Sequence, residues 1–246
     1  MQDIAVFGAG LLGQSVSEAL IAEGYSIDIF ESSQERIDEL IISSKTRNFY
    51  QFNLGTDSFT GLGNNYTEIK NKKYYGVVNC TYPFVNKSKP HDGSNLTDSD
   101  TFVRSVSAHL GNSYEFMLLA TEILEAGGSA ISFASIYGST IPKFEVYDDT
   151  DMTTPPDYVA SKAGLIMLSK YFASFYISKG LRFNTISPGG VFDHQNPIFV
   201  EKYCDKTLHN QMLVTEDVVG PLVFLLSDGG RMVTGQDLVV DGGFTI

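Results

Sequence analysis

The sequence predicts an α/β protein: one doubly wound domain around a mostly parallel sheet of about seven strands, with helices on both faces. Two observations carry this expectation. Short apolar runs of strand length alternate with longer amphipathic stretches from end to end, as when crossover helices bury both faces of a sheet. The 246 residues also show no repeat, low-complexity tract or linker, at a length that one such domain commonly reaches. Residues 1–246 therefore read as a single domain.

Ile4-Ala5-Val6-Phe7 is a buried strand that stops at glycine, and Leu12, Val16, Ala19 and Leu20 then recur at helical spacing. Tyr25 to Phe30 is the second strand, after which Ser32 or Ser33 caps a helix holding Ile37, Leu40 and Ile41. Asn48 to Leu54 and Tyr74 to Cys80 are the third and fourth strands, and Thr56 to Lys73 between them has no clear pattern. Asp98 to Ala126 is a long helix, stopped by Gly127-Gly128, and Ala130 to Ala134 is the fifth strand. A helix from Asp157 to Lys179 ends at Gly180; Arg182 to Ile186 follows as the sixth strand. A helix from Thr215 to Leu226 and a seventh strand, Asp237 to Val240, close the pattern. In parallel sheets of this kind ligands bind at the carboxyl ends of the strands, so motifs there matter most.

Composition excludes several classes. The net charge of −12 argues against a nucleic-acid partner, whose affinity comes mainly from Lys and Arg neutralising phosphates. Cys80 and Cys204 lie far apart in the chain, which suits two reduced thiols rather than a disulfide framework or a metal cluster, so no metal is expected. No stretch approaches the roughly 20 apolar residues of a membrane span. Met1-Gln2-Asp3 opens directly into a strand without a signal-like start, so a cytoplasmic location is expected.

Gly8-Ala9-Gly10-Leu11-Leu12-Gly13 is a G-x-G-x-x-G that ends a strand and opens a helix. A pyrophosphate needs such a turn: close backbone approach, no Cβ in the way, and free helix N–H groups facing the anion. Glu31 ends the second strand 18 residues after Gly13, where a carboxylate can accept hydrogen bonds from adenosine ribose hydroxyls; the competing reading is a cap for the next helix. The ribose role favours NAD over NADP, because a carboxylate repels a 2′-phosphate, while Arg36 nearby keeps NADP open. Asn79-Cys80-Thr81 at the end of the fourth strand, and Pro188-Gly189-Gly190-Val191 after the sixth, line the same edge beside the nicotinamide end.

Tyr158 and Lys162 stand at i and i+4 at the start of a helix, on one face. A phenol near pKa 10 is a poor acid/base at neutral pH, and a neighbouring ammonium stabilises its phenolate. Ser135 follows the fifth strand, where its hydroxyl can hydrogen-bond a substrate oxygen.

Together these motifs resemble the short-chain dehydrogenase/reductase superfamily over nearly the whole chain. Asn184-x-Ile186-x-Pro188-Gly189, Glu216-Asp217-Val218, Phe224-Leu225-Leu226-Ser227-Asp228 and the closing Thr234-Gly235-Gln236 and Asp241-Gly242-Gly243 also match. The resemblance implies a Rossmann-like fold, Tyr158 as general acid/base, Lys162 lowering its pKa while binding nicotinamide ribose, and Ser135 positioning the reacting carbonyl or alcohol. It implies hydride transfer at nicotinamide C4, and a homodimer or homotetramer formed through the two long helices and the last strand.

Departures from the family pattern are specific. Val6-Phe7 replaces Thr-Gly at the start of the turn. Asn53, with Leu54 beside it, stands for the third-strand aspartate near adenine. His109 falls where the family carries a relay asparagine, with Asn112 a turn later, and either is a relay or a core residue. Ser135 and Tyr158 are 23 residues apart, a longer interval than usual. The segments 139–157 and 192–212 then read as substrate-side loops, with Glu145, Tyr147 and Asp193 as possible substrate contacts or as solvated surface. Asn79-Cys80-Thr81-Tyr82-Pro83, Ser135-Ile136-Tyr137-Gly138, Pro142 to Tyr147 and Gly189 to Asp193 are similar to a narrower group. These are bacterial oxidoreductases of flagellin-modification and surface-glycan clusters, associated with legionaminic-acid-type sugars. The resulting expectation is an NAD-dependent oxidoreductase acting on a small polar sugar derivative. A 3-oxoacyl reductase and a non-catalytic NAD-binding redox sensor are the alternatives.

Overall fold

The computed structural model describes residues 2–43, 48–53, 69, 71–83 and 96–246. Among them seven strands form one sheet: β1 (Asp3–Phe7), β2 (Ser26–Glu31), β3 (Asn48–Gln51), β4 (Tyr74–Asn79), β5 (Leu124–Phe133), β6 (Arg182–Pro188) and β7 (Asp237–Val240). Their order is β3-β2-β1-β4-β5-β6-β7, and every neighbouring pair is parallel. The order reverses between β1 and β4, which opens a crevice beyond their carboxyl ends.

Among the described residues six α-helices connect the strands: α1 (Leu11–Ala22), α2 (Gln34–Ser43), α3 (Ser99–Ile123), α4 (Pro156–Phe175), α5 (Pro197–Cys204) and α6 (Val219–Leu226). Alternate residues of β1 show why a continuous apolar strand was required. Ala5 and Phe7 face one core with Phe116, Met117 and Phe172, while Ile4 and Val6 face the other with Val16, Leu20 and Leu222. A third cluster of Ile136, Val146, Phe199, Tyr203 and Phe244 sits beyond the sheet's carboxyl edge.

The Val6-Phe7 departure is absorbed by both cores, Val6 in the second and Phe7 in the first. Phe7 stacks on Phe30 at 4.5 Å between ring centroids and meets Phe52 and Phe116 edge-on, so its bulk points away from the glycine turn.

Some expected boundaries are corrected. The long helix ends at Ile123, and Gly127-Gly128 lie inside β5 rather than stopping the helix. Pairing passes from Tyr74↔Leu124 to Gly76↔Ser129, so the segment between bulges, and Gly127 takes a φ of +85° there. The third strand stops at Gln51; Leu54, and nearly all of the unpatterned stretch after it, lie outside the described residues. The expected helix from Thr215 starts as a 3-10 turn, Thr215–Val218, before α6. Helix α5 was not anticipated, although Asn196-Pro197 announces it: the Asn196 side chain accepts the Ile198 N–H at 2.9 Å and Pro197 opens the helix. Among the described residues no helix is long and apolar enough to cross a membrane.

Candidate active site

The glycine turn joins β1 to α1, and its three glycines answer different demands. Gly8 adopts a φ of +88°, and a Cβ there would stand 2.9 Å from the Thr81 backbone. A Cβ on Gly13 would stand 1.9 Å from the Gly8 carbonyl oxygen. Gly10 differs: its φ of −72° is open to any residue, and the nearest atom to a Cβ is Arg36 Nη1 at 3.9 Å. Protein packing does not require that glycine, and the space beside it is part of the cavity.

Glu31 braces the same turn. Its Oε2 accepts the Ala9 N–H at 2.8 Å, and its Oε1 accepts from the Ser33 N–H and the Ser32 hydroxyl, both at 3.0 Å. Burial works to raise the carboxyl, but these hydrogen bonds outweigh it and hold the group below the usual glutamate value. Arg36 donates to the Ala9 carbonyl at 3.2 Å, so acid and base both touch Ala9. On the neighbouring strand, Asn79 is buried and its side chain accepts from the Thr81 N–H and hydroxyl, which shapes the β4 exit. Asn53 is half-buried just past β3.

Ser135, Tyr158 and Lys162 converge further along the edge. Ser135 caps the 3-10 turn Ile136–Gly138 by accepting the Tyr137 N–H at 3.2 Å, which leaves its hydroxyl proton for another partner. The start of α4 is tied down by Asp157, a buried carboxylate that accepts from Thr97 at 3.2 Å and from Ser105 of α3. Tyr158 is next in the chain. Burial pushes its phenol up to about 12, against a hydrogen bond with Ser135 that acts the other way. One turn later, Lys162 Nζ donates to the Phe133 carbonyl at 2.8 Å and lies 5.7 Å from the Tyr158 ring centroid. Burial lowers this ammonium to about 8, with Cys80 nearby opposing the shift. At pH 7 the resting site therefore holds a neutral phenol beside a charged ammonium.

These groups line one cavity of about 570 Å³, which runs from Gly10, Leu11 and Leu12 past Cys80 and Thr81 to Ser135, Tyr158 and Lys162, and on to Pro188, Gly189 and Val191. Gly8, Gly13, Glu31 and Asn79 stand behind it as supports. Cys80 and Cys204 are both free thiols, and burial pushes Cys80 up, which keeps it protonated. No cluster of metal-ligating side chains occurs among the described residues.

The two segments flanking the far end pack on each other. Lys202 meets Asp149 at 3.0 Å, Lys206 meets Glu145 at 3.4 Å, and the Tyr147 and Phe199 rings lie 5.2 Å apart. Tyr147 lines the cavity, but Glu145 and Asp193 do not: both are exposed, and Glu145 is occupied by Lys206. His109 and Asn112 also fall outside the lining; the Tyr82 ring lies 4.7 Å from His109 and 6.3 Å from Tyr158. Tyr203 was missed. Its hydroxyl accepts the Gly190 N–H at 2.6 Å and its ring stacks on Phe244 at 4.2 Å, a contact between distant segments that no local spacing announces.

A doubly wound sheet carrying serine, tyrosine and lysine at its carboxyl edge defines a class of carbonyl and alcohol oxidoreductases. Residues 12–245 match the family profile described as Enoyl-(Acyl carrier protein) reductase. Post-translational flagellin modification protein A of Campylobacter coli is 37% identical over 180 residues, covering 71% of this chain and 69% of that protein. The 7alpha-hydroxysteroid dehydrogenase of Bacteroides fragilis is 28% identical over 255 residues, covering 97% and 92%. A short-chain dehydrogenase from Leptospira borgpetersenii, solved with bound NAD+, superposes with a TM-score of 0.83 at 26% identity, covering 100% of this chain and 93% of that one. The chain belongs to the short-chain dehydrogenase/reductase superfamily and is an oxidoreductase of that family.

Proposed function

We propose that this chain is an NAD-dependent oxidoreductase that interconverts a carbonyl and a secondary alcohol on a sugar or nucleotide-sugar of surface-glycan biosynthesis. The observation that carries the reading is the continuity of the cavity, with a cradle at Gly10 that packing leaves open to a Cβ at one end and the Ser135, Tyr158 and Lys162 side chains at the other. A bound nicotinamide dinucleotide supplies or accepts the hydride. Gly8, Gly10, Leu11, Leu12 and Gly13 would cradle its pyrophosphate, with α1 presenting N–H groups that no side chain caps. Asn53, Asn79, Cys80 and Thr81 flank the adenosine and ribose path, and Pro188, Gly189 and Val191 the carboxamide.

Glu31 is the selector for NAD. Its oxygens already accept from Ala9, Ser32 and Ser33, so a ribose hydroxyl would share them, and the fixed negative charge repels a 2′-phosphate. Tyr158, neutral at pH 7, holds the proton that a carbonyl oxygen gains on reduction, and Ser135 orients that oxygen. Lys162 holds the positive charge that eases formation of the phenolate when the reaction runs toward oxidation.

Similarity to the flagellin modification protein supports a glycan-related substrate, as does a substrate side lined by Tyr137, Tyr147 and Thr154 hydroxyls. Segments 139–157 and 192–212 form its walls. An acyl chain on a carrier protein calls for a basic entrance, and Lys162 is the one charged residue among the described lining. Retention of both Tyr158 and Lys162 favours turnover over a sensor role. Exposed Tyr114 on α3 and Met167, Tyr171 and Phe175 on α4 support a homo-oligomer, which light scattering tests: a monomer at micromolar concentration overturns it. We place the protein in the cytoplasm. Fluorescence titration with NADH and NADPH tests the cofactor reading. Tighter NADH binding is expected; preference for NADPH transfers the selector role to Arg36, and binding of neither overturns the proposal.

A further inference from the structure

We infer that Tyr137 reads a second, uncharged oxygen of the substrate beside the carbon that reacts, so that the enzyme prefers vicinal diols and α-hydroxy ketones to isolated alcohols and ketones. The inference rests on the oxidoreductase reading above and deepens it.

Three hydroxyls form a directed chain along the cavity wall. Tyr147 donates to the Tyr137 hydroxyl at 3.2 Å, and the same Tyr147 oxygen lies 2.5 Å from Thr154 Oγ1. A hydroxyl has one proton to give. Tyr147 spends its proton on Tyr137, so the shorter contact runs from Thr154 to Tyr147. The Tyr137 proton is then the free end of the chain, with no acceptor among the described residues. Two upstream donors polarise it and make it a better donor than an isolated phenol.

The chain is rigid. Tyr137 is 7% exposed, Thr154 is 9% exposed, and the Tyr137 ring meets Phe244 edge-on at 6.5 Å. The Tyr147 ring is held against Phe199. Burial raises the Tyr137 pKa, so the group remains a donor throughout the working pH range. All three hydroxyl residues line the cavity.

Position in the turn ties this donor to the chemistry. Tyr137 stands two residues past Ser135 in the same 3-10 turn, and its N–H binds the Ser135 hydroxyl. One short turn thus presents one hydroxyl to the reacting oxygen and another to a neighbouring oxygen. The acceptor is uncharged because an anion held against the buried Tyr137 would need a charged partner. Lys162 is the one charged lining residue among those described, and it is engaged beside Tyr158.

The test compares NAD-linked oxidation of cis-1,2-cyclohexanediol and cyclohexanol by the full chain, with NADH binding and Tm followed in parallel. One recognised oxygen is expected to favour the diol in kcat/KM by about tenfold. Tyr137→Phe keeps the ring and removes the proton; it is expected to bring that ratio near one through a higher KM for the diol, with NADH affinity and Tm retained. Tyr147→Phe, which only weakens the donor, is expected to lower the ratio by a few-fold. A native enzyme without preference for the diol overturns the inference. So does an unchanged ratio in Tyr137→Phe, or loss of the preference in Tyr147→Phe alone, which moves the role to Tyr147. Oxidation of neither alcohol by enzyme that binds NADH also overturns it, leaving the cofactor reading intact. Failure to bind NADH overturns the proposed function itself, and this inference with it.

Discussion

The two ends of the cavity are held by different kinds of interaction. Around β1 and β2 the backbone does the holding: Gly8 against Thr81, Gly13 against Gly8, and the Ala9 N–H on Glu31. Around β5 and β6 side chains do it, through Tyr137, Tyr147 and Thr154, the Tyr203 hydroxyl on Gly190, and the rings of Tyr203 and Phe244. Backbone contacts at van der Waals limits tolerate no added atom, whereas a hydroxyl can be deleted without moving its ring. Mutations at the first end should therefore register in folding or cofactor affinity, and at the second end in rate and selectivity.

The sharpest break comes at the second end. Tyr158→Phe removes the proton but keeps the ring, and turnover should fall by about 10³-fold, within the range for a general acid. NADH affinity should stay within about threefold of the native value. Steady-state kinetics and fluorescence titration read the two quantities, and retained turnover would remove Tyr158 from the chemistry.

Within the first end, two glycines three residues apart should behave oppositely. Gly13→Ala puts a Cβ 1.9 Å from the Gly8 carbonyl oxygen. Overpacking of that kind costs about 1–3 kcal/mol, or a Tm drop of roughly 2–4 °C for each kcal/mol in a chain of this size. Gly10→Ala meets no protein atom closer than 3.9 Å. Its Tm should be native, while the methyl occupies the cradle and NADH affinity falls by about tenfold, near 1.4 kcal/mol. Equal Tm losses in the two variants, or native NADH affinity in Gly10→Ala, would mean that the space at Gly10 is not reserved for a ligand.

The same contrast decides what the sequence could reveal. Backbone demands leave local marks, so the glycine turn, the strand alternation and the i, i+4 tyrosine and lysine were legible residue by residue. Gly127-Gly128 were legible only as a break; whether they end a helix or bulge a strand depends on the register of β4 beside them. The substrate side was the least legible. Glu145, Tyr147 and Asp193 fall in segments with no periodicity, and only folding decides that Lys206 draws Glu145 outward while Thr154 and Tyr137 hold Tyr147 inward. Phe7 shows the reverse case. It departs from the family pattern in sequence, yet Phe30 and Phe116 accommodate it on the face away from the site.

A further effect probes electrostatics at the second end. Burial lowers Lys162 from 10.5 to about 8 in the folded chain. Below pH 8 the folded and unfolded chains both keep the proton, and the whole cost of an enclosed ammonium is present. Between about 8 and 10.5 the unfolded chain keeps the proton and the folded chain does not, so this group makes unfolding free energy rise with pH. Above 10.5 both are neutral and the contribution levels off. The slope is at most about 1.4 kcal/mol per pH unit. Lys162→Met never carries the charge, so its stability advantage over the native chain should be largest near pH 7 and shrink as pH approaches 10. Urea unfolding of both proteins at pH 7 and pH 9.5, at one ionic strength, measures that difference. A gap that stays constant would mean that water reaches Lys162 freely in the ligand-free protein. The second end would then owe its rigidity to the Tyr147 and Tyr203 contacts alone, with no penalty from a buried charge for a bound cofactor to relieve.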